Sequence, residues 1–364
     1  MVLVFCLLLI AGIIGGQFFN LSEVREVLSF VTSVCLAYIM IEVGLEFSAD
    51  KRQVRSYAWD AGVAFIASIL PAFLWFLYFN IVMQSPWRPA MIAGLSSAPT
   101  SAGVLFSILM AAGLGATWVF KKARTLAVLD DLVTILLLTP LQIIILGFQI
   151  QAIIVLVFIG FFLFASFRWP NTISWPTGER WILLYGFVLT VMVFFIKQTT
   201  HIHLEVLVPA FMWGCLVRLQ KKHHKADPPS KRFSLDSIVK GSFMFLVGFS
   251  FPKVEVGSIS WGVIIGHVLI LTVLSNLGKC FPALCYRKEA SLKERLALSV
   301  AMFPRGEVGA AVLLIGIGYG FGGYGIAFAM LSLAFNLVLT GIFVWIVMRL
   351  LAKNGIVEQA GREL

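Results

Sequence analysis

Long apolar runs, separated by short polar segments, fill this sequence from end to end. Runs of about 20 apolar residues are long enough to cross the hydrocarbon core of a bilayer as helices. Strand-like alternation is absent, and in lipid a helix satisfies its own backbone groups. The pattern predicts an all-α polytopic membrane protein with about twelve transmembrane helices. The predicted spans are 2–19, 26–47, 57–83, 89–113, 117–146, 150–167, 181–197, 202–218, 235–251, 258–285, 295–318 and 322–350.

The composition agrees with lipid as the solvent of the chain. The sequence is 60% hydrophobic and 13% charged, whereas soluble domains are about one-quarter charged. Its five cysteines show no paired metal-ligand spacing, and no nucleophile–base pair is visible. We therefore expect neither an enzyme nor a bound cofactor.

The distribution of Lys and Arg predicts the orientation of the spans. When both termini are placed on one side, that side receives 22 of the 28 basic residues and the opposite side receives four. The positive-inside rule then places both termini in the cytoplasm, in a cell inner membrane. The net charge of +10 is therefore a topology signal. Attraction to anionic membrane lipid is a by-product, and the charge does not indicate a nucleic-acid partner.

Two adjacent carboxylates, Asp130 and Asp131, lie midway along the fifth predicted span. A charge at this depth costs about 2.5–3.5 kcal/mol on insertion scales and marks a functional candidate. Adjacent helix positions diverge by about 100°, so the two carboxylates cannot share one environment. Lys279, in the tenth span, is the natural partner of one of them. A static salt bridge is the alternative, but it explains Asp130 with Lys279 and leaves Asp131 without a role.

Two predicted spans are interrupted by proline and glycine. The fourth span carries Gly94–Gly103 around Pro99, and the eleventh carries Phe303–Gly309 with Pro304. Proline removes a helical hydrogen bond, and glycine loosens the turn. Paired breaks of this kind are typical of inverted repeats whose half-helix ends meet at a midplane ion site.

Hydroxyl groups accompany the first break. Thr100 and Ser101 directly follow Pro99, and their oxygens, with freed carbonyls, suit a small alkali cation. Capping of the broken turn is the alternative role, and both roles can hold together.

The spacing of the two halves supports an inverted repeat. Pro99 precedes Asp131 by 32 residues, and Pro304 precedes Asn336 by 32 residues. Asn336 is therefore the pseudo-symmetric counterpart of Asp131, as a lone amide within an apolar span. Its role is open between function and a local hydrogen bond.

A further charged group surrounds the second break. Arg305 and Glu307 flank Gly306, while Glu42 and Glu46 lie four residues apart near the end of the second span. We expect Arg305, Glu307 and Glu46 to form a supporting charge cluster. It is either a local or interhelical ion pair, or a pH-responsive gate.

These pieces together resemble the bacterial sodium/proton antiporters of the electrogenic branch of the monovalent cation/proton antiporter superfamily. The resemblance rests on Gly44–Glu46, the Thr100–Ser101 break, the Asp130–Asp131 pair, Lys279 and Pro304–Gly309. It implies that Asp131 is the obligatory ion-binding carboxylate, that Asp130 pairs with Lys279, and that Thr100 lies near the ion. In electroneutral relatives an Asn replaces the first carboxylate, so Asp130 indicates electrogenic exchange.

The resemblance also implies a homodimer with two crossed discontinuous helices in each protomer. The core bundle is then about 57–146 and 258–350, the dimerisation bundle about 1–47 and 181–251, and the linker helix about 150–167. Nucleotide-gated relatives carry a soluble nucleotide-binding domain after the membrane helices, and no such domain is expected here.

The expected function is exchange of a monovalent cation, with sodium first and lithium or potassium open, for protons in pH homeostasis. The main alternative is a sodium-coupled symporter of an organic anion with a related crossed-helix fold. A membrane sensor or scaffold that retains the fold without transport is a third reading.

Overall fold

A computed structural model describes residues 2–18, 25–46, 54–101, 114–115, 117–146, 175–200, 206–219, 235–250 and 260–352. Within these ranges the chain forms helices joined by short non-helical segments. The helices are α1 (Val2–Phe18), α2 (Arg25–Glu46), α3 (Val54–Leu77), α4 (Trp87–Ser96), α5 (Trp118–Leu146), α6 (Glu179–Thr200), α7 (Leu207–Leu219), α8 (Leu235–Phe249), α9 (Trp261–Gly278), α10 (Pro282–Cys285), α11 (Leu292–Ala301), α12 (Glu307–Gly318) and α13 (Tyr324–Ala352).

Six of the described helical segments are long and apolar enough to cross a membrane. They contain α2, α3, α5, α6, α9 with α10, and α13. Shorter apolar helices lie at Leu7–Phe18, Leu207–Val217 and Glu307–Gly318. The chain is therefore a multi-pass helical membrane protein. The predicted span at 150–167 lies outside the described residues.

The tenth predicted span, 258–285, is not one continuous helix. The α-helical pattern ends at Gly278, and the amides of Lys279 and Cys280 bond to the carbonyls of Asn276 and Leu277 at 3.1 and 3.0 Å. These are the tighter three-residue bonds that close a helix end. Lys279 therefore lies just beyond the last turn of α9, and not within a regular helix.

The second break lies where the proline and glycine predict it. Residues 302–306 are non-helical and separate α11 from α12. Upstream, Ser291 begins α11 with a reciprocal capping box, in which Glu294 accepts from the Ser291 N–H at 2.9 Å. The first break is described only from the end of α4 to Ser101, since residues 102–113 lie outside the described part. The crossed arrangement and the inverted repeat stay predictions.

Contacts divide the chain into two units. The first comprises Met1–Ile10, Ala49–Thr134 and Phe251–Leu364. In it, α3 packs on α4 and α9, α4 packs on α12, and α13 packs on α9 and α11. This unit holds both described breaks and the two adjacent aspartates.

The second unit comprises Ala11–Ser48 and Ile135–Ser250. In it, α2 packs on α6, α7 and α8. Lys240 of α8 lies 2.7 Å from both Glu42 of α2 and Asp236 of α8, which fixes α8 to α2 by charge. The assignment of core and dimerisation bundles to particular ranges stays a prediction.

The contact between α2 and α7 depends on two glycines. A Cβ on Gly214 would lie 2.9 Å from the Cα of Gly44, and one on Gly44 would lie 2.9 Å from the Cys215 amide nitrogen. Small residues allow this backbone contact, which is the usual way that helices associate in lipid.

We expect Gly214→Ala to lower the melting temperature of the detergent-solubilised protein, because the new methyl group enters occupied space and overpacking costs about 1–3 kcal/mol. Gly62→Ala is the matched control, because nothing lies within 4 Å of a Cβ at Gly62. The control gains about 0.5–1 kcal/mol of helix propensity. Equal melting temperatures for the two variants would contradict the close contact.

Candidate functional site

The centre of the site is a buried ion pair between α5 and the end of α9. Lys279 Nζ lies 2.5 Å from Asp130 Oδ2, and both side chains are 0% exposed. Desolvation of each charge is costly, and removal of one partner leaves an uncompensated charge in apolar surroundings. The two side chains therefore depend on each other for their charged forms.

Two hydroxyl groups complete the surroundings of the Asp130 carboxylate. Thr100 Oγ1 donates to Asp130 Oδ2 at 2.8 Å, and Ser68 Oγ donates to Asp130 Oδ1. Each hydroxyl also lies near a backbone carbonyl, Met302 O at 3.1 Å for Thr100 and Ala64 O at 2.8 Å for Ser68. Because a hydroxyl carries one proton, each can turn its proton from the carboxylate to the carbonyl.

Ser68 is a member of the site that the sequence analysis missed. It lies in the middle of α3 and is 0% exposed. A serine in an apolar helix usually bonds to the carbonyl of its own preceding turn, so it shows no pattern that demands an interhelical partner. The available signal was its depth in the span, which is the depth of Asp130, a charge that needs hydrogen-bond donors.

Asp131 follows Asp130 on α5 and is 1% exposed. Its side chain leaves the helix about 100° away from that of Asp130. The structure therefore buries two carboxylates at one depth, and Lys279 lies within ion-pair distance of Asp130.

The two broken segments contact each other directly. The Ser101 N–H donates to Pro304 O at 2.9 Å, and Ser101 Oγ donates to Glu307 Oε2 at 3.0 Å. Gly306 permits the contact, because a Cβ there would lie 2.6 Å from Ser101 Oγ. Thr100 and Ser101 thus lie where the end of α4 meets the start of α12.

The predicted charge cluster does not contain an ion pair between Arg305 and Glu307. Arg305 is 1% exposed, and its guanidinium donates to Met302 O at 2.9 Å and to Ser275 O at 3.1 Å. Glu307 instead accepts from Ser101. Glu46 is the last residue of α2, but its side chain lies outside the described part, so its place in the cluster stays a prediction. Arg305 therefore joins the second break to α9 through backbone carbonyls.

Asn336 is 0% exposed within α13. Its Nδ2 donates to Ser332 O at 3.2 Å, and Thr340 Oγ1 donates to Asn336 O at 3.2 Å. The amide nitrogen therefore has a local partner in its own helix.

A second charged group, which the sequence analysis did not identify, joins α3 to α5. Asp60 accepts from Lys122 Nζ at 3.1 Å and from the Tyr286 hydroxyl at 2.7 Å. Lys122 also lies 3.2 Å from Glu289. Burial, and then the bond to Asp60, raise the pKa of the Tyr286 phenol far above its ordinary value. Tyr286 therefore stays a donor, and this cluster holds the helix that carries Ser68 against the helix that carries Asp130.

Comparisons with known proteins agree with this architecture. Residues 2–350 match the family of transmembrane sodium/hydrogen exchangers. Among solved structures, the chain is similar to the sodium proton antiporter MjNhaP1 from Methanocaldococcus jannaschii at pH 8. The match has 14% sequence identity and a TM-score of 0.62, and it covers 95% of this chain and 91% of that chain. No curated protein sequence matches the chain. The matched family and structure are transporters and not enzymes.

We expect Ser68→Ala to lower the melting temperature, because the loss of a hydrogen bond to a buried charge costs about 1.5–3 kcal/mol. Ser96→Ala is the matched control, since Ser96 is equally buried and donates only to Ala93 O of its own helix. We expect the melting temperature to fall further for Ser68→Ala than for Ser96→Ala, because only the Ser68 hydroxyl bonds to another helix. Equal losses would show that the contact with Asp130 contributes no stability.

Proposed function

The chain belongs to the sodium/hydrogen exchanger family, and we propose that it exchanges sodium for protons electrogenically, with Asp131 as the exchanging carboxylate. The observation that carries this proposal is the buried Asp130–Lys279 pair, 2.5 Å long, directly beside a second buried carboxylate. One aspartate is neutralised by a removable internal cation, and its neighbour lies in other surroundings. A proton and a metal cation can therefore compete for the same place.

The proposed cation ligands are oxygens of Asp131, Asp130 and Thr100. Carboxylate and hydroxyl oxygens are hard donors that suit small hard cations. Thr100 lies 3.1 Å from Met302 O, so its proton can turn to that carbonyl and leave an oxygen lone pair for the cation. Ser101, which the sequence also proposes as a ligand, donates to Glu307 in this structure, and its part as a ligand requires that this bond open.

Exchange follows from the cost of charge in the bilayer. With Asp131 ionised, a sodium ion enters and displaces Lys279 from Asp130. After release of the ion on the other side, protonation of Asp131 and return of Lys279 neutralise the site again. An empty, charged site is costly to carry across lipid, so only the loaded forms cross.

The proposed setting of this exchange is a homodimer in the cell inner membrane with both termini in the cytoplasm. The orientation rests on the 22-to-4 division of basic residues and the positive-inside rule. The core bundle in this proposal holds the breaks and the aspartates, and the role of the exchanger is pH homeostasis.

We expect Asp131→Asn to abolish sodium-dependent proton flux in proteoliposomes, because an amide neither binds the proton nor supplies the charge for the cation. Asp60→Asn is the control, since Asp60 is likewise a buried carboxylate, but it lies in α3 and pairs with Lys122. The control retains exchange. Sodium-dependent proton flux in the Asp131 variant would overturn the assignment, and sodium-driven uptake of an organic anion without it would favour the symporter.

We expect Lys279→Ala to retain sodium-dependent proton flux but to lose its dependence on a clamped membrane potential. The reason is that the transported cation takes the place of the Lys279 charge beside Asp130 in each cycle. The measurement is proton flux with sodium, lithium and potassium, with and without a potential. An unaltered response to voltage would contradict the role of Lys279.

A further inference from the structure

The proposed exchange, on which this inference rests, displaces Lys279 from Asp130. Lys279 is 0% exposed, so its ammonium group has no water to enter when it leaves the carboxylate. A buried ammonium without acceptors is costly. The released lysine therefore needs acceptors inside the protein, close to its present position.

The helices α9 and α13 run in parallel and meet along a polar seam. His267 stacks on Phe328 with ring centroids 5.0 Å apart, and Thr272 Oγ1 lies 3.0 Å from Ser332 Oγ. Both pairings advance in the same direction along the two helices. One turn further along, this register places Asn276 and Asn336 at the same level of the two helices.

This next pair carries two buried acceptors that lack donors. Among the described residues, the Oδ1 atoms of Asn276 and Asn336 are buried and have no hydrogen-bond partner. Buried polar groups are nearly always satisfied, so two such oxygens on facing turns indicate a group that occupies them in another state. Because both atoms are acceptors, that group must carry donors.

Lys279 is placed to be that group. It follows Asn276 by three residues, and its N–H donates to the Asn276 carbonyl at 3.1 Å in the turn that closes α9. Its ammonium has three donors, and it sits one turn from the pair. Neutral amides hold an ammonium more weakly than a carboxylate does, so the lysine returns to Asp130 when the cation leaves.

We infer that Asn276 and Asn336 form the alternative acceptor of the Lys279 ammonium, occupied while a cation holds Asp130. The pair is thus a positioning element of the exchange. It stabilises the state in which the lysine is released, and so it sets how readily the cation enters.

The test compares two substitutions with opposite expected effects. Asn336→Leu removes an acceptor and raises the half-saturating sodium concentration about tenfold, the effect of one lost hydrogen bond to a charged group, with little change in maximal rate. Asn336→Asp supplies a stronger partner and lowers the half-saturating concentration. Thr272→Val is the control in the same seam and leaves the half-saturating sodium concentration within about twofold, since the Thr272 hydroxyl bonds to Val268 O and Ser332 Oγ and not to either asparagine. Proton flux in proteoliposomes and sodium calorimetry on the purified protein give the two readouts.

A second variant and a second background complete the test. Asn276→Leu, at a less buried position than Asn336, gives the same increase in the half-saturating sodium concentration. It replaces Asn336→Leu in the test if that variant does not fold. In a Lys279→Ala background, both leucine variants leave sodium binding unchanged. Shifts that persist without Lys279, or shifts of the same sign for leucine and aspartate, would overturn the inference in favour of a bound water or a packing role. Failure of the unmodified protein to bind sodium would instead overturn the proposed function.

Discussion

The arrangement of the first unit depends on one buried ion pair. Asp130 and Lys279 are both 0% exposed and 2.5 Å apart, and neither charge has water to solvate it. Such a pair is stable only when its geometry is good and its remaining lone pairs are satisfied. The hydroxyls of Ser68 and Thr100 supply those bonds. Helix α3, the segment after α4 and the end of α9 must therefore converge on one carboxylate of α5.

Small residues make this convergence possible. A Cβ on Gly278 would lie 2.8 Å from the Cα of Pro71, and one on Gly306 would lie 2.6 Å from Ser101 Oγ. Lipid provides no hydrophobic force between helices, so they associate through close packing and hydrogen bonds. The glycines shorten the distance between backbones until short polar side chains such as Ser101 reach across. Larger residues at these positions would separate the helices and leave the ion pair without its hydrogen-bond donors.

Residues whose burial is costly were predictable from the sequence, and residues whose burial is cheap were not. Asp130, Asp131 and Lys279 stand out because a charge at membrane depth has few explanations, and the break at 302–306 follows from proline and glycine. Ser68 does not stand out, because it bonds within its own helix at 2.8 Å. The partners of Arg305 are backbone carbonyls, and carbonyls carry no sequence signal. Their choice depends on distances between helices that no local pattern encodes.

The unequal surroundings of the two aspartates bear on how ions would be coupled. Asp130 already has an internal cation and two donors, so a metal ion gains little there unless the lysine has another place to go. In the proposed exchange, the protonation state of Asp131 decides whether the site attracts a cation. Coupling then needs no large rearrangement at the carboxylates themselves. It needs a short transfer of one ammonium group, and the free energy of that transfer adds directly to the free energy of cation binding.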